Sequence, residues 1–143
     1  MSLKTADLAS PAACLCFNLR RAARLIARDL DGALKPAGLG SAQFAVLAVL
    51  EEAGPLAIAQ LAEALGTDRT TLTRNLALLE RDGLIAYRQG NDKRRRIAAL
   101  SAEGEKAYRA ALPLWRAFQE KKVAGLGPEP AQQLLSLLSQ AAG

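Results

Sequence analysis

Apolar residues recur at spacings of three and four through Leu15, Leu19, Ala22, Ala23, Ile26, Leu30 and Leu34, which lays them along one face of a helix between Pro11 and Leu34. Pro36, Gly38 and Gly40 end that helix. A second helix, with Ser41 as its cap, runs to about Ala53, and its Phe44, Val46, Leu47 and Leu50 are apolar enough to be largely buried. Gly54-Pro55 breaks the chain, and Leu56-Ala57-Ile58 reads as a short extended piece. A brief helical pattern with Leu61, Ala62 and Leu65 then stops at Gly66, and a new helix starts from Thr67 or Asp68. This is helix, tight turn, helix. On the second of these helices Leu72, Leu76 and Leu79 form one side, while Arg69, Thr70, Thr73 and Arg74 lie largely off that stripe. One side packs and the other is free to touch a partner.

Asp82-Gly83 ends the helix, after which Leu84 to Arg88 and Arg96 to Leu100 read as two short strands around Gln89-Gly90-Asn91-Asp92, a run of turn formers. Ser101 caps a long helix from about Ala102 to Ala124, with Glu103 and Glu105 at its positive end and Pro113 as an expected kink. Past Gly125-Leu126-Gly127-Pro128, a last helix from about Glu129 to Ala141 displays Leu134, Leu135, Leu137 and Leu138. That apolar face is wider than a lone terminal helix can hide, so docking on another subunit is expected. The pattern predicts a mainly α chain with a small β-hairpin.

At 143 residues the chain suits one domain, folding with about 68–70% of its extended surface buried. The longest apolar stretch, Phe44 to Leu50, falls far short of the roughly 20 residues needed to cross a bilayer. Lys4, Asp7 and Pro11 interrupt the place where a secretory signal needs continuous apolar residues. A cytoplasmic protein without membrane contact is the expectation. The chain has no histidine and only two cysteines, Cys14 and Cys16. That removes the usual general base and the commonest metal ligand, and it argues against a disulfide framework or a four-ligand zinc site. No enzyme, metal or cofactor is expected.

Charge sharpens the picture. The sequence carries 19 Lys+Arg against 14 Asp+Glu, a formal net charge of +5. Between Thr67 and Ile97, eight basic residues (Arg69, Arg74, Arg81, Arg88, Lys93, Arg94, Arg95 and Arg96) face four acids, Asp68, Glu80, Asp82 and Asp92. Nearly the whole excess sits on the helix-turn-helix and the hairpin. A helix offering Arg and Thr beside a hairpin tipped with Lys93 to Arg96 has the parts of a winged helix-turn-helix, with one helix for the major groove and a basic wing. Arg can fork onto guanine O6 and N7, Thr can reach base edges or a thymine methyl, and wing arginines suit a narrow, negative minor groove. Lys93 suits phosphate. A four-residue basic run by itself is as often a solvated turn; its place between strands behind a helix-turn-helix favours a nucleic-acid role.

From about Ala12 to Leu138 the chain resembles the MarR family of winged-helix transcriptional regulators. The stretches that carry the likeness are Leu65-Gly66-Thr67-Asp68-Arg69-Thr70-Thr71-Leu72-Thr73-Arg74-Asn75-Leu76, then Leu79-Glu80-Arg81-Asp82-Gly83-Leu84-Ile85, and Asp92-Lys93-Arg94-Arg95-Arg96 with Leu100-Ser101-Ala102-Glu103-Gly104. The resemblance implies that Thr67, Asp68, Arg69, Thr70, Thr71, Thr73 and Arg74 face the major groove. It also implies that Asp92 orients Arg94 by a salt bridge and that Arg94 enters the minor groove, with Lys93, Arg95 and Arg96 beside it. It divides a single domain, 1–143, into a helical dimerisation region (10–36 and 102–142) and a DNA-binding lobe (41–100). A homodimer on a pseudo-palindromic operator follows, usually repressing until a small aromatic or phenolic effector binds between the dimer base and the winged lobe.

One branch of that family senses organic hydroperoxides through a first-helix thiol in a Leu-Cys-Phe context like Leu15-Cys16-Phe17. Cys16 is the candidate, with Cys14 as partner or bystander and Arg20 one helical turn away. Where that branch surrounds its thiol with tyrosines, this chain has Arg20, Leu30 and Ser41. Both cysteines otherwise read as small packing residues. For an effector pocket, Asn18, Arg21, Phe44, Trp115 and Phe118 can supply polar anchors and aromatic walls, core packing being the plainer role of each aromatic. Arg20, Arg21, Arg24 and Arg28 read as a solvated face, with an acidic-ligand contact as the alternative. A rival class is a winged-helix protein-interaction module without DNA binding, which salt dependence of binding would separate.

Overall fold

The computed structural model describes residues 7–89 and 96–143. Helix α1 (Leu15–Leu34) follows a short 3-10 turn at Pro11–Ala13, and a second such turn leads to α2 (Ser41–Ala53). Strand β1 (Leu56–Ala57), α3 (Ile58–Leu65), α4 (Arg69–Arg81), β2 (Ile85–Gln89) and β3 (Arg96–Leu100) form the central lobe, and α5 (Ala102–Leu126) and α6 (Pro128–Ala142) complete the chain. The mainly helical, winged architecture expected from the pattern is the one observed.

Burial explains the element choice. Leu34, Leu39, Phe44, Val46, Leu47, Leu50, Leu61, Leu72, Leu76, Leu79, Ile85, Ala98 and Ala111 make one core, drawing the apolar stripes of α2, α3 and α4 onto the sheet. The three leucines of α4 are almost wholly shielded, and each is worth a few kcal/mol, since Leu→Ala in a well-packed core costs about 2–5 kcal/mol.

The sheet is antiparallel with β3 in the centre. Ile85 pairs with Leu100 and Gln89 with Arg96, while Leu56 and Ala57 pair with Ala98 and Ile97 on the other side. The short extended piece read at 56–58 is thus the third strand of the wing. Its length of two residues matches what an edge strand can pair before α3 begins.

Local chemistry corrects two details. Gly40, rather than Ser41, is the cap of α2: its N–H donates to Gln43 Oε1 at 3.0 Å, and the Ser41 N–H is taken by Asp31 Oδ1 of α1 at 2.6 Å. Leu84 precedes β2, because its N–H closes α4 by donating to Leu79 O at 2.9 Å. Pro113 lies inside a single α5 that continues past it to Leu126. Among the described residues no single helix is long and apolar enough to cross a membrane.

One joint holds the lobe to α5, and another ties α5 to α1. Ser101, which caps α5 as read, accepts from the Gly104 N–H at 3.0 Å and donates its hydroxyl to Gly83 O at 2.5 Å, while its own N–H donates to Leu84 O at 3.1 Å. Asp29 of α1 accepts from Lys122 Nζ of α5 at 2.7 Å. The Lys122 hydrogen bond, aided by its charge, draws the Asp29 carboxyl below the ordinary carboxylate value, with Arg28 and Lys121 adding to it.

Candidate nucleic-acid interface

The turn between α3 and α4 is closed by the backbone. Gly66 adopts a left-handed conformation (φ +61°), its N–H donates to Glu63 O, and the Thr67 N–H reaches Ala62 O, both at 3.1 Å. A side chain at position 66 would be strained there, which is why glycine ends α3. Asp68 then caps α4, accepting from the Thr71 N–H on Oδ1 and from the Thr71 hydroxyl on Oδ2, both at 2.8 Å. These two bonds, the backbone one first, pull the Asp68 carboxyl below its ordinary value.

The cap sorts the residues expected to face a partner. Asp68 and Thr71 satisfy each other, and the Thr73 hydroxyl donates to Arg69 O at 2.7 Å. Arg69, Thr70 and Arg74 are exposed on the side of α4 away from buried Leu72, Leu76 and Leu79, and Thr67 is half-buried at the turn. Two guanidinium groups and a hydroxyl on an exposed, rigidly capped helix can fork onto base edges or phosphate.

At the hairpin, Asp92, Lys93, Arg94 and Arg95 lie outside the described residues. Arg96 opens β3, and its guanidinium sits over the Tyr87 ring, 5.0 Å from the centroid. Nothing in the sequence pattern pointed to Tyr87; the only signal was its place two positions from Gln89, which pairs with Arg96.

The remaining candidates are distributed as follows. Cys14 caps α1 and Cys16 lies in its first turn; both are exposed in the protomer. Their side chains are therefore not core packing within one chain. The Asn18 amide donates to Ala12 O (3.0 Å) and Cys14 O (2.9 Å), so it fastens the start of α1. Phe44 is buried and stacked with Tyr108 and Trp115, ring centroids 5.6 and 6.2 Å apart. Lys122 Nζ lies 5.6 Å from the Phe118 ring centroid, and Arg21 is exposed on α1. Of the five pocket candidates, the structure brings Phe44 and Trp115 together, and Tyr108 joins them.

A broad apolar surface is exposed at the two ends of the chain. Leu15 (70%), Phe17, Leu19 and Ile26 project from α1, and Leu126, Leu134, Leu135 (62%), Leu137 and Leu138 from the end of α5 and α6. No residue of α6 is buried.

Comparison with known proteins places this geometry. Residues 37–95 match the model of the MarR family. The chain is 34% identical over 115 residues to the HTH-type transcriptional regulator YwoH of Bacillus subtilis, covering 80% of this chain and 84% of that one. The crystal structure of the M. tuberculosis transcriptional regulator MosR in complex with DNA superposes with a TM-score of 0.79 at 40% identity, over 90% of this chain and 96% of that one. The transcriptional repressor CouR, bound to a 23-mer DNA duplex, gives 0.82 at 26% identity over 98% and 100%.

Proposed function

Since the chain belongs to the MarR family of transcriptional regulators, we propose that it acts as a homodimer on a pseudo-palindromic operator, repressing until a small effector releases it. The observation that carries this reading is α4: buried leucines hold one side, Asp68 and Gly66 fix its start, and Arg69, Thr70 and Arg74 are left exposed on the other. In this reading α4 enters the major groove, and Lys93, Arg94 and Arg95, with Asp92 orienting Arg94, supply the minor-groove contact. DNA in the MosR and CouR structures supports it.

The dimer would form through 10–36 and 102–142, leaving 41–100 as the reading lobe. The exposed leucines of α1 and α6 are the surface a second copy would cover. The aromatic group of Phe44, Tyr108 and Trp115, between α2 and α5, supports a flat, apolar effector, with Asn18, Arg21 and Phe118 as the remaining candidates.

The test is binding to the duplex flanking its own gene across a salt series. Neutralising about six phosphates predicts a slope near −5 in log affinity against log salt, and Arg94→Ala should weaken specific binding by about 1–3 kcal/mol. A flat salt response would favour the protein-interaction module instead.

A second reading is favoured by the exposure of both thiols at the start of α1. Here the effector is an organic hydroperoxide: the Cys16 sulfur takes one oxygen, becoming sulfenic acid, and the alcohol leaves. Cys14, the chain's other thiol, is the candidate to condense with it, expelling water. Peroxide-induced release from DNA should vanish in Cys16→Ser; unchanged release would exclude this reading.

A further inference from the structure

The pairing of Tyr87 with Ala98 and of Gln89 with Arg96 puts these four residues on one face of the hairpin. It is the face turned toward the helices, since Ile85 and Ala98 belong to the core and Tyr87 packs against it. Arg96 stands at the open end of this face, diagonal to Tyr87, and folds back over the ring. Diagonal neighbours across an antiparallel pair are within reach of long and aromatic side chains, and 5.0 Å is inside cation–π range. Glu80, from the last turn of α4, lines the same concavity as Tyr87 and Arg96. Burial, then the Glu80 charge, raises the Tyr87 hydroxyl above its ordinary value, while Arg96 opposes the rise. Both charges act on one phenol.

We propose that Arg96 is a positioning residue and not a DNA contact: stacked on Tyr87 in the concavity that Glu80 of α4 also lines, it fixes β3 against β2 beside the C-terminal end of α4. The inference rests on the DNA-binding reading above. A protein that reads two grooves with two elements loses affinity when the angle between those elements must be ordered at binding. A guanidinium already seated on a ring at the joint removes part of that cost. By sequence Arg96 is indistinguishable from Arg94 and Arg95, yet its strand register aims it back at the protein.

The experiment is anisotropy of a labelled operator duplex over a salt series, using wild type, Arg96→Gln, Tyr87→Leu, Tyr87→Phe and the Arg96→Gln/Tyr87→Leu double variant, each with thermal unfolding recorded. Arg96→Gln and Tyr87→Leu should each weaken binding about three- to tenfold, in line with one lost cation–π pair per subunit, and leave the salt slope at its wild-type value. The double variant should bind no worse than the weaker single, and Tyr87→Phe should recover most of what Tyr87→Leu loses. A slope flattened by about one per subunit in Arg96→Gln would make Arg96 a phosphate contact and overturn the proposal; so would losses that multiply in the double variant. Arg96 is exposed, so its variant keeps the slope test intact if Tyr87→Leu loosens the core. A wild-type protein indifferent to duplex at low salt would instead overturn the DNA-binding reading itself.

Discussion

Gly104 is the most constrained position at the joint between the winged lobe and α5. A Cβ built there would meet Leu84 O at 1.9 Å, Leu84 C at 3.0 Å and Leu100 Cδ2 at 3.3 Å. The carbonyl it strikes is backbone, and it also accepts the Ser101 N–H, so it cannot swing aside like a flexible side chain. In Gly104→Ala the first turn of α5 must lift by more than an ångström from the entry to β2. Overpacking of this kind costs about 1–3 kcal/mol or more, and the Ser101 bonds to Leu84 O and Gly83 O are worth about 1 kcal/mol each. Against this stands a gain of about 0.5–1 kcal/mol from replacing glycine within a helix. The clash wins, for a net loss of about 3 kcal/mol, or a fall in Tm of about 10 °C for a domain of this length. Gly32→Ala in α1 is the control: nothing lies within 4 Å of a Cβ there, so only the helix-propensity gain remains and Tm should rise slightly. Thermal unfolding by circular dichroism, at one protomer concentration throughout, reads both. Equal Tm values for Gly104→Ala and wild type would refute the reasoning.

Asp68→Ala should lower both Tm and duplex affinity, whereas Asp68→Asn, which keeps an acceptor for the Thr71 N–H, should lose less; equal losses would show that the cap geometry is irrelevant. Asp29 and Asp68 both hold their protons less tightly folded than at the ordinary 3.8. Their stabilisation is therefore present above that value and drains away as pH falls through the lower, folded values. A Tm profile from roughly pH 5 to 2.5 should be less steep in Asp29→Asn than in wild type; identical profiles would contradict the Lys122 pairing. Leu134→Glu with Leu138→Glu should convert a dimer to monomer in sedimentation, because two charges on an apolar contact face are each costly to desolvate. An unchanged sedimentation coefficient would move the subunit contact elsewhere.

Period and punctuation determined most of the element order without any tertiary information. The three-and-four spacing of Leu72, Leu76 and Leu79 set the buried side of α4, and Gly66, Asp68 and Ser101 marked element ends because their backbone or capping chemistry is local. The clustering of positive charge between 67 and 97 was likewise legible, since charge needs no fold to be counted. What the chain order concealed were contacts between residues distant along it. Asp31 accepts from the Ser41 N–H at the start of α2; Asp29 finds Lys122 93 positions away; and β1 joins the wing through β3. Arg96 carries the same side chain as Arg94 and Arg95. Only strand register, and the ring it places diagonally opposite, turns that guanidinium back onto the protein.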